Sequence, residues 1–270
     1  MKENIGQPHM LPTQSGNRMS QGLDGMRKAA REKKQERFTS LLHDVNTALL
    51  RDSFYALKRQ ASPGVDGVRW QEYESGLEDR LVDLHSRVHR GTFRAQPSRR
   101  VYIPKADGRQ RPLGVAALKD KIVQQAVATI LNQIYEVDFK GFYYGFRPGR
   151  SPHQALDALV VGLERKKVNW VLDADIRGFF DNMSHEWTTK FIEHRVADRR
   201  ILRLIRKWLK AGYRRMASGR KRSRVRRKEQ WSHRCSPTCI STTCSTYGRM
   251  PGAGKWQRAM SSSFAMPMIL

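Results

Sequence analysis

Tyr102-Ile103-Pro104-Lys105-Ala106-Asp107-Gly108-Arg109-Gln110-Arg111-Pro112-Leu113-Gly114 reads as two short extended arms around a tight turn. Asp-Gly between such arms is a hairpin signal, because both turn residues tolerate a left-handed backbone. The strand Arg100 to Lys105 enters the turn and Arg109 to Leu113 leaves it. Outside the hairpin the spacing becomes helical. Upstream, Leu41, Leu42, Val45, Leu49, Phe54 and Leu57 recur at three- and four-residue steps from Phe38, and Trp70, Tyr73, Leu77, Leu81, Leu84 and Val88 mark a second helix. Ser62-Pro63-Gly64-Val65-Asp66-Gly67 separates the two with a pair of turn signals. Downstream, Val115 to Tyr135 is a third helix, Asn169 to Ala174 a strand hydrophobic almost throughout, and Glu186 to Arg195 and Ala197 to Ala211 two further helices. Helices and strands in this order contain no βαβ repeat, so the class expected is α+β rather than a doubly wound sheet.

Composition narrows the partners. The 270 residues hold 51 Lys+Arg against 25 Asp+Glu, a net charge of +26, which makes a polyanion the first partner to expect. Nucleic acid leads, and an anionic membrane surface follows. No apolar run approaches the roughly 18 residues a bilayer crossing needs, and the start lacks the apolar stretch of a signal peptide. The expected location is the cytoplasm, with the three cysteines reduced. Met1 to Arg31 is polar and rich in Gly, Ser and Gln, and is expected to be a flexible basic arm. A sharper division falls after Tyr213, where the last 57 residues carry 13 basic residues against one acidic and all the cysteines.

Three stretches hold residues suited to chemistry. In Val171-Leu172-Asp173-Ala174-Asp175-Ile176-Arg177-Gly178-Phe179-Phe180-Asp181-Asn182, Asp175 ends a hydrophobic strand. A carboxylate there either binds a hard cation such as Mg²⁺ or caps the next turn. The hairpin carries Lys105, Arg109 and Arg111 at or near its tip, a placement that suits a triphosphate or is an ordinary solvated basic loop. Tyr144-Gly145-Phe146-Arg147-Pro148-Gly149-Arg150-Ser151 joins aromatics to arginines, as backbone and base-stacking contacts to RNA require, or forms a structural turn.

In order and spacing these stretches resemble the reverse transcriptases encoded by group II introns, also called intron maturases, over about Phe38 to Gly212. The Pro63 to Gly67 turn resembles their amino-terminal extension, YIPK...RPLG their fingers hairpin, and DADIRGFFDN the motif of the first catalytic aspartate. The resemblance implies a right-hand polymerase: an amino-terminal helical extension over 32–98, fingers over 99–168 and the start of the palm over 169–213. It implies that Asp175 is catalytic and holds Mg²⁺ with the Ile176 carbonyl, and that Lys105 and Arg111 meet the nucleotide phosphates. It further implies that Phe180 meets the 2′ position of the incoming ribose, with Arg109, Arg147 and Arg150 on nucleic acid. The partners implied are group II intron RNA, an RNA template with a DNA primer, and dNTPs.

That family's two-metal site needs further carboxylates, from a Tyr-Ala-Asp-Asp turn that follows a Gly-Thr-Pro-Gln-Gly segment. Neither string occurs in the chain. Codon degeneracy allows both when each codon after Tyr213 is read one base earlier. Ala265 to Ile269 then allows Arg-Tyr-Ala-Asp-Asp, with the Ala and the last Asp forced by the Met codons. Val225 to Gly248 allows Gly-Thr-Pro-Gln-Gly-Ala-Val-Val-Ser-Pro-Leu-Leu-Ala-Asn-Val-Tyr-Leu-His-Tyr-Val-Leu-Asp-Leu-Trp. Residues 214–270 are therefore expected to be an out-of-frame tail, disordered or non-native. This truncated chain is expected to lack catalysis and to be an RNA-binding remnant or a non-functional fragment. The spacing of Cys235, Cys239 and Cys244 lacks the paired C-x₂-C of a zinc site.

Overall fold

In a computed structural model of the chain, residues 14–104, 108, 110–166, 168–170 and 183–215 are described. The apolar stripe that starts at Phe38 is not one helix. Phe38 instead forms a parallel bridge to Val196, a 3₁₀ turn covers Leu42–Asp44, and α2 (Thr47–Tyr55) starts behind Asn46, whose side chain accepts from the Leu49 N–H. An N-cap satisfies a donor that the first turn leaves unpaired, so the cap sets the boundary although the apolar period runs through it. The second expected helix divides likewise into α3 (Trp70–Glu74) and α4 (Leu77–His89), because Gly76 adopts a left-handed φ of 74°.

Helix α1 (Gln14–Glu32) replaces most of the arm expected over Met1–Arg31. What holds its far end is remote in sequence. Arg195, fully buried, donates to the carbonyls of Ala30, Lys33 and Lys34 and lies 3.5 Å from the Asp138 carboxylate. The last carbonyls of a helix lack partners and carry partial negative charge. A guanidinium brought to them by the chain's other end satisfies both needs.

The hairpin forms as expected. β1 (Ser98–Pro104) pairs antiparallel with β2 (Gln110–Val115), Ile103 opposite Arg111 and Val101 opposite Leu113. A third strand, β3 (Tyr213–Arg215), joins β1 in parallel, giving the order β2-β1-β3. α5 (Leu118–Tyr135) starts just past β2, three residues later than expected, because Val115 belongs to the sheet. Beyond it come α6 (Pro152–Arg165), α7 (His185–Glu193) and α8 (Arg199–Ala211). The mixture of helices with a small, mainly antiparallel sheet is the α+β class expected.

One core runs from Leu41 to Leu209. α5 is its spine, with Ile122, Val123, Ala126, Ile130 and Ile134 at most 1% exposed, and each Ile or Val buried in this way contributes roughly 1.5–3 kcal/mol. Phe54 stacks on Trp70 at 4.6 Å, and the Trp70 indole N–H donates to the Phe54 carbonyl. α6 was not anticipated, although Ser151 and Gln154 form a capping box and Pro152 opens the first turn. It buries no residue, and Leu156 and Val160 are more than half exposed.

Asp120 ties α5 to two other parts of this core, accepting from the Gln96 N–H at 3.1 Å and from the Trp208 indole at 3.0 Å. Burial pushes its carboxyl up to about 6, with Asp66 adding to the rise, while the Gln96 and Trp208 bonds oppose it. A carboxyl whose folded value is raised adds stability below its unfolded value and loses it as pH rises through the folded one. The stability of the parent relative to Asp120→Asn is therefore expected to fall by about 2–3 kcal/mol between pH 4 and pH 7. Urea titrations at several pH values measure this, and a difference independent of pH would refute it.

Candidate functional site

The sheet and α5 present the β1–β2 hairpin, and its register decides where Arg111 points. Residues directly opposite in an antiparallel pair share a face, so Arg111 shares its face with Ile103. Arg111 is exposed and has no carboxylate partner among the described residues. On the other face Arg100 lies 5.7 Å from the Tyr102 ring and 4.2 Å from that of Tyr213, across β1 and β3. Lys105 and Arg109, expected at the tip, lie outside the described residues, as do Asp175, Ile176 and Phe180.

The base of the hairpin rests on the Ser62–Gly67 turn. Arg99 donates to the Pro63 carbonyl at 3.0 Å and Lys121 to the Ser62 carbonyl at 2.9 Å. Gly64 packs so closely that a Cβ on it would stand 2.4 Å from the Ala117 Cα. Two stretches of backbone touch there, where β2 passes into α5. The turn thus fixes the strands that carry Arg111.

The loop after α5 separates its two arginines. Arg147 turns inward: it grips the Glu136 carboxylate with Nε and Nη2, donates from Nη1 to the carbonyls of Lys140 and Tyr143, and lies 4.7 Å from the Phe139 ring. A guanidinium so engaged shapes the loop, with Glu136, Lys140 and Tyr143 holding the fork expected to meet nucleic acid. Arg150 is exposed, 5.4 Å from the Tyr144 ring, with no carboxylate partner among the described residues. Phe142 and Phe146 are 56% and 68% exposed, and Phe146 holds a φ of 57°. A left-handed backbone under an exposed bulky aromatic is an outlier of the kind that marks ligand contacts. Phe142 went unremarked in sequence, where nothing distinguishes an exposed aromatic from a core one.

Among the described residues no three His, Cys, Asp or Glu side chains come together to hold a metal ion, and the Mg²⁺ ligands implied by resemblance are not among those residues. No described helix is long and apolar enough to cross a membrane.

The family model "Reverse transcriptase (RNA-dependent DNA polymerase)" matches residues 103–235. Over those residues the chain is similar to reverse transcriptases. Its relatives include the group II intron-encoded protein LtrA of Lactococcus lactis subsp. cremoris, 34% identical over 197 residues that make up 71% of this chain and 32% of LtrA. Protein YkfC of Escherichia coli (strain K12) is 38% identical over 155 residues, 56% of this chain and 41% of YkfC. The chain thus spans less than half the length of these relatives. A chain of the solved "Partial Cas6-RT-Cas1--Cas2 complex" is similar at a TM-score of 0.46 and 16% identity, over 77% of this chain and 34% of that one.

Proposed function

We propose that this chain is the fingers and the start of the palm of a group II intron reverse transcriptase. Such an enzyme adds dNTPs to a primer 3′-OH on an RNA template and binds its intron RNA. The observation that carries the reading is an exposed Arg111, without a carboxylate partner among the described residues, on a hairpin braced from below by the Ser62–Gly67 turn. A fixed guanidinium suits a triphosphate, whose charge must be met without rearrangement at the moment of transfer. Lys105 would add a second cation, and Phe180 would exclude a ribose 2′-hydroxyl. The family's chemistry uses divalent metal, and Asp175 with the Ile176 carbonyl would be this chain's contribution to holding Mg²⁺, which would supply charge stabilisation for phosphoryl transfer. Arg150, Phe142 and Phe146 would meet unpaired template by charge and stacking.

The missing Tyr-Ala-Asp-Asp string favours a second reading for the chain as written, an RNA-binding remnant without catalysis. The shifted codons after Tyr213 would reconcile the two readings. The family match runs in the written frame to residue 235 and overlaps the shifted segment from Arg214, so the nucleotide sequence must decide between them. Primer extension on an RNA template tests the proposal with two proteins, the chain as written and a product with the shifted frame restored near Tyr213. The written chain is expected to extend nothing. The restored product is expected to extend with Mg²⁺ and to lose at least about 10³-fold in rate on Asp175→Asn. Extension by the written chain would refute the frame proposal, and no extension by either would refute the polymerase.

A further inference from the structure

Helix α8 carries far more positive charge along its exposed face than α4 does. α4 has Glu78 and Asp79 in its first turn and Arg87 and His89 in its last, charges that complement the helix dipole. α8 opens with Arg199 and Arg200 behind the Asp198 cap, whose carboxylate lies 3.7 Å from Arg200, and has no acidic residue in its first turn. Arg199, Arg203, Arg206 and Lys210 follow at steps of four, three and four, so they form one stripe about 16 Å long. All four are exposed. Arg206 meets Glu193, but Arg199, Arg203 and Lys210 have no carboxylate partner among the described residues.

The charge continues beyond the helix. Arg203 lies beside Gly91, and Lys207 donates to the carbonyls of Gly91 and Phe93 at 2.9 and 2.5 Å. Burial, then Arg203 and Arg94, hold the Lys207 ammonium below its ordinary value, as expected where cations crowd one another. The apolar face of the helix, Ile201, Leu202, Leu204, Ile205 and Leu209, is buried in the core. Packing therefore accounts for that face and leaves the cationic one unexplained.

We propose that the stripe Arg199, Arg203, Arg206 and Lys210, with Arg94 beside it, docks the phosphate backbone of double-stranded RNA. The inference rests on the family reading for the polymer and adds a surface separate from the hairpin. Duplex is favoured over single strand by what the stripe lacks. Single strands are gripped by cations interleaved with exposed aromatics, the pattern of the 141–151 loop. The aromatic of α8, Trp208, is half-buried and donates to Asp120. A rigid row of cations suits the regular phosphates of an A-form helix, which is recognised by shape and backbone.

Fluorescence anisotropy of the full chain with an RNA duplex of about 20 base pairs, and with one of its strands alone, across a series of KCl concentrations, tests the assignment. In Arg199→Gln/Arg203→Gln/Lys210→Gln the duplex slope of log K against log salt is expected to fall by about 2–3, with affinity down roughly 10–100-fold at 0.1 M salt. Single-strand binding is expected to change less than about 3-fold, and Arg199→Lys/Arg203→Lys to keep the parent slope because it keeps the charge. If the triple variant does not fold, Arg203→Gln alone should lower the slope by about 0.7–0.9. An unchanged duplex slope overturns the proposal, as does an equal loss on single strand or a loss confined to phosphatidylserine vesicles. A parent chain that binds no RNA overturns the family reading as well; a parent that binds while the variant is unchanged overturns the α8 assignment alone.

Discussion

Gly64→Ala is expected to destabilise the protein by about 3 kcal/mol or more, the upper end for overpacking, with a fall in Tm of roughly 6–12 °C. The new Cβ would stand 2.4 Å from the Ala117 Cα, 2.6 Å from its nitrogen and 2.7 Å from the Ala116 carbonyl oxygen. All three are backbone atoms, so no side chain can rotate away and the turn or the start of α5 must move. The same movement would strain the bonds from Arg99 and Lys121 that seat the turn. A displacement of the hairpin base would carry Arg111 with it, and errors of about 1 Å in positioning groups cost large factors in rate. Gly67→Ala is the control, because Gly67 has a φ of 73° and open space around it. It should cost only the strain of a left-handed alanine, about 1–2 kcal/mol. Thermal and urea unfolding of the two variants separate crowding from strain, and a Gly64→Ala protein within about 0.5 kcal/mol of its parent would refute the close approach.

What the sequence made legible was local, and what it hid was paired across the chain. The hairpin could be read because Asp107-Gly108 is a turn by its own chemistry. Its register then followed from the strands, with Arg111 on the face the pairing dictates. The helix breaks at Asn46 and Gly76 were also local signals, a cap and a left-handed glycine, but the apolar period ran through both and concealed them. Helix α1 was hidden for a different reason. Its composition is that of a loose arm, and the guanidinium that closes its last turn belongs to Arg195, far along the chain. The loop arginines show the same limit on side chains. Arg147 and Arg150 stand three residues apart in one motif and look alike, yet Glu136 claims the first and leaves the second exposed. The aspartate motif that contributed most to the functional reading lies outside the described residues, so its part in the site rests on sequence and family.

Asp198→Ala is expected to cost about 4–7 kcal/mol, because one buried carboxylate closes the structure in two places. Its Oδ1 caps α8 by accepting from the N–H groups of Arg200 and Ile201, and its Oδ2 accepts from those of Leu41 and Leu42, both at 2.9 Å. Loss of the cap alone costs about 1 kcal/mol. Loss of hydrogen bonds from a charged acceptor to donors that then stay buried costs about 1.5–3 kcal/mol each, and Leu41 and Leu42 are at most 1% exposed. Asn should recover about half, since its oxygen can keep one pair of donors while its amide must face the other. Burial raises the Asp198 carboxyl, but the four backbone N–H bonds together outweigh it and hold the group below its ordinary value. A carboxyl lowered by folding adds stability above its unfolded value and loses it as pH falls through the folded one. The gap between parent and Asp198→Ala should therefore be flat near neutral pH and shrink below about pH 4. Urea unfolding at pH 7 and pH 3 measures it. A gap that is the same at both would show that the carboxylate's charge is not what joins the amino-terminal extension to α8, and the junction would then rest on the Phe38 pairing with Val196 and on Arg195.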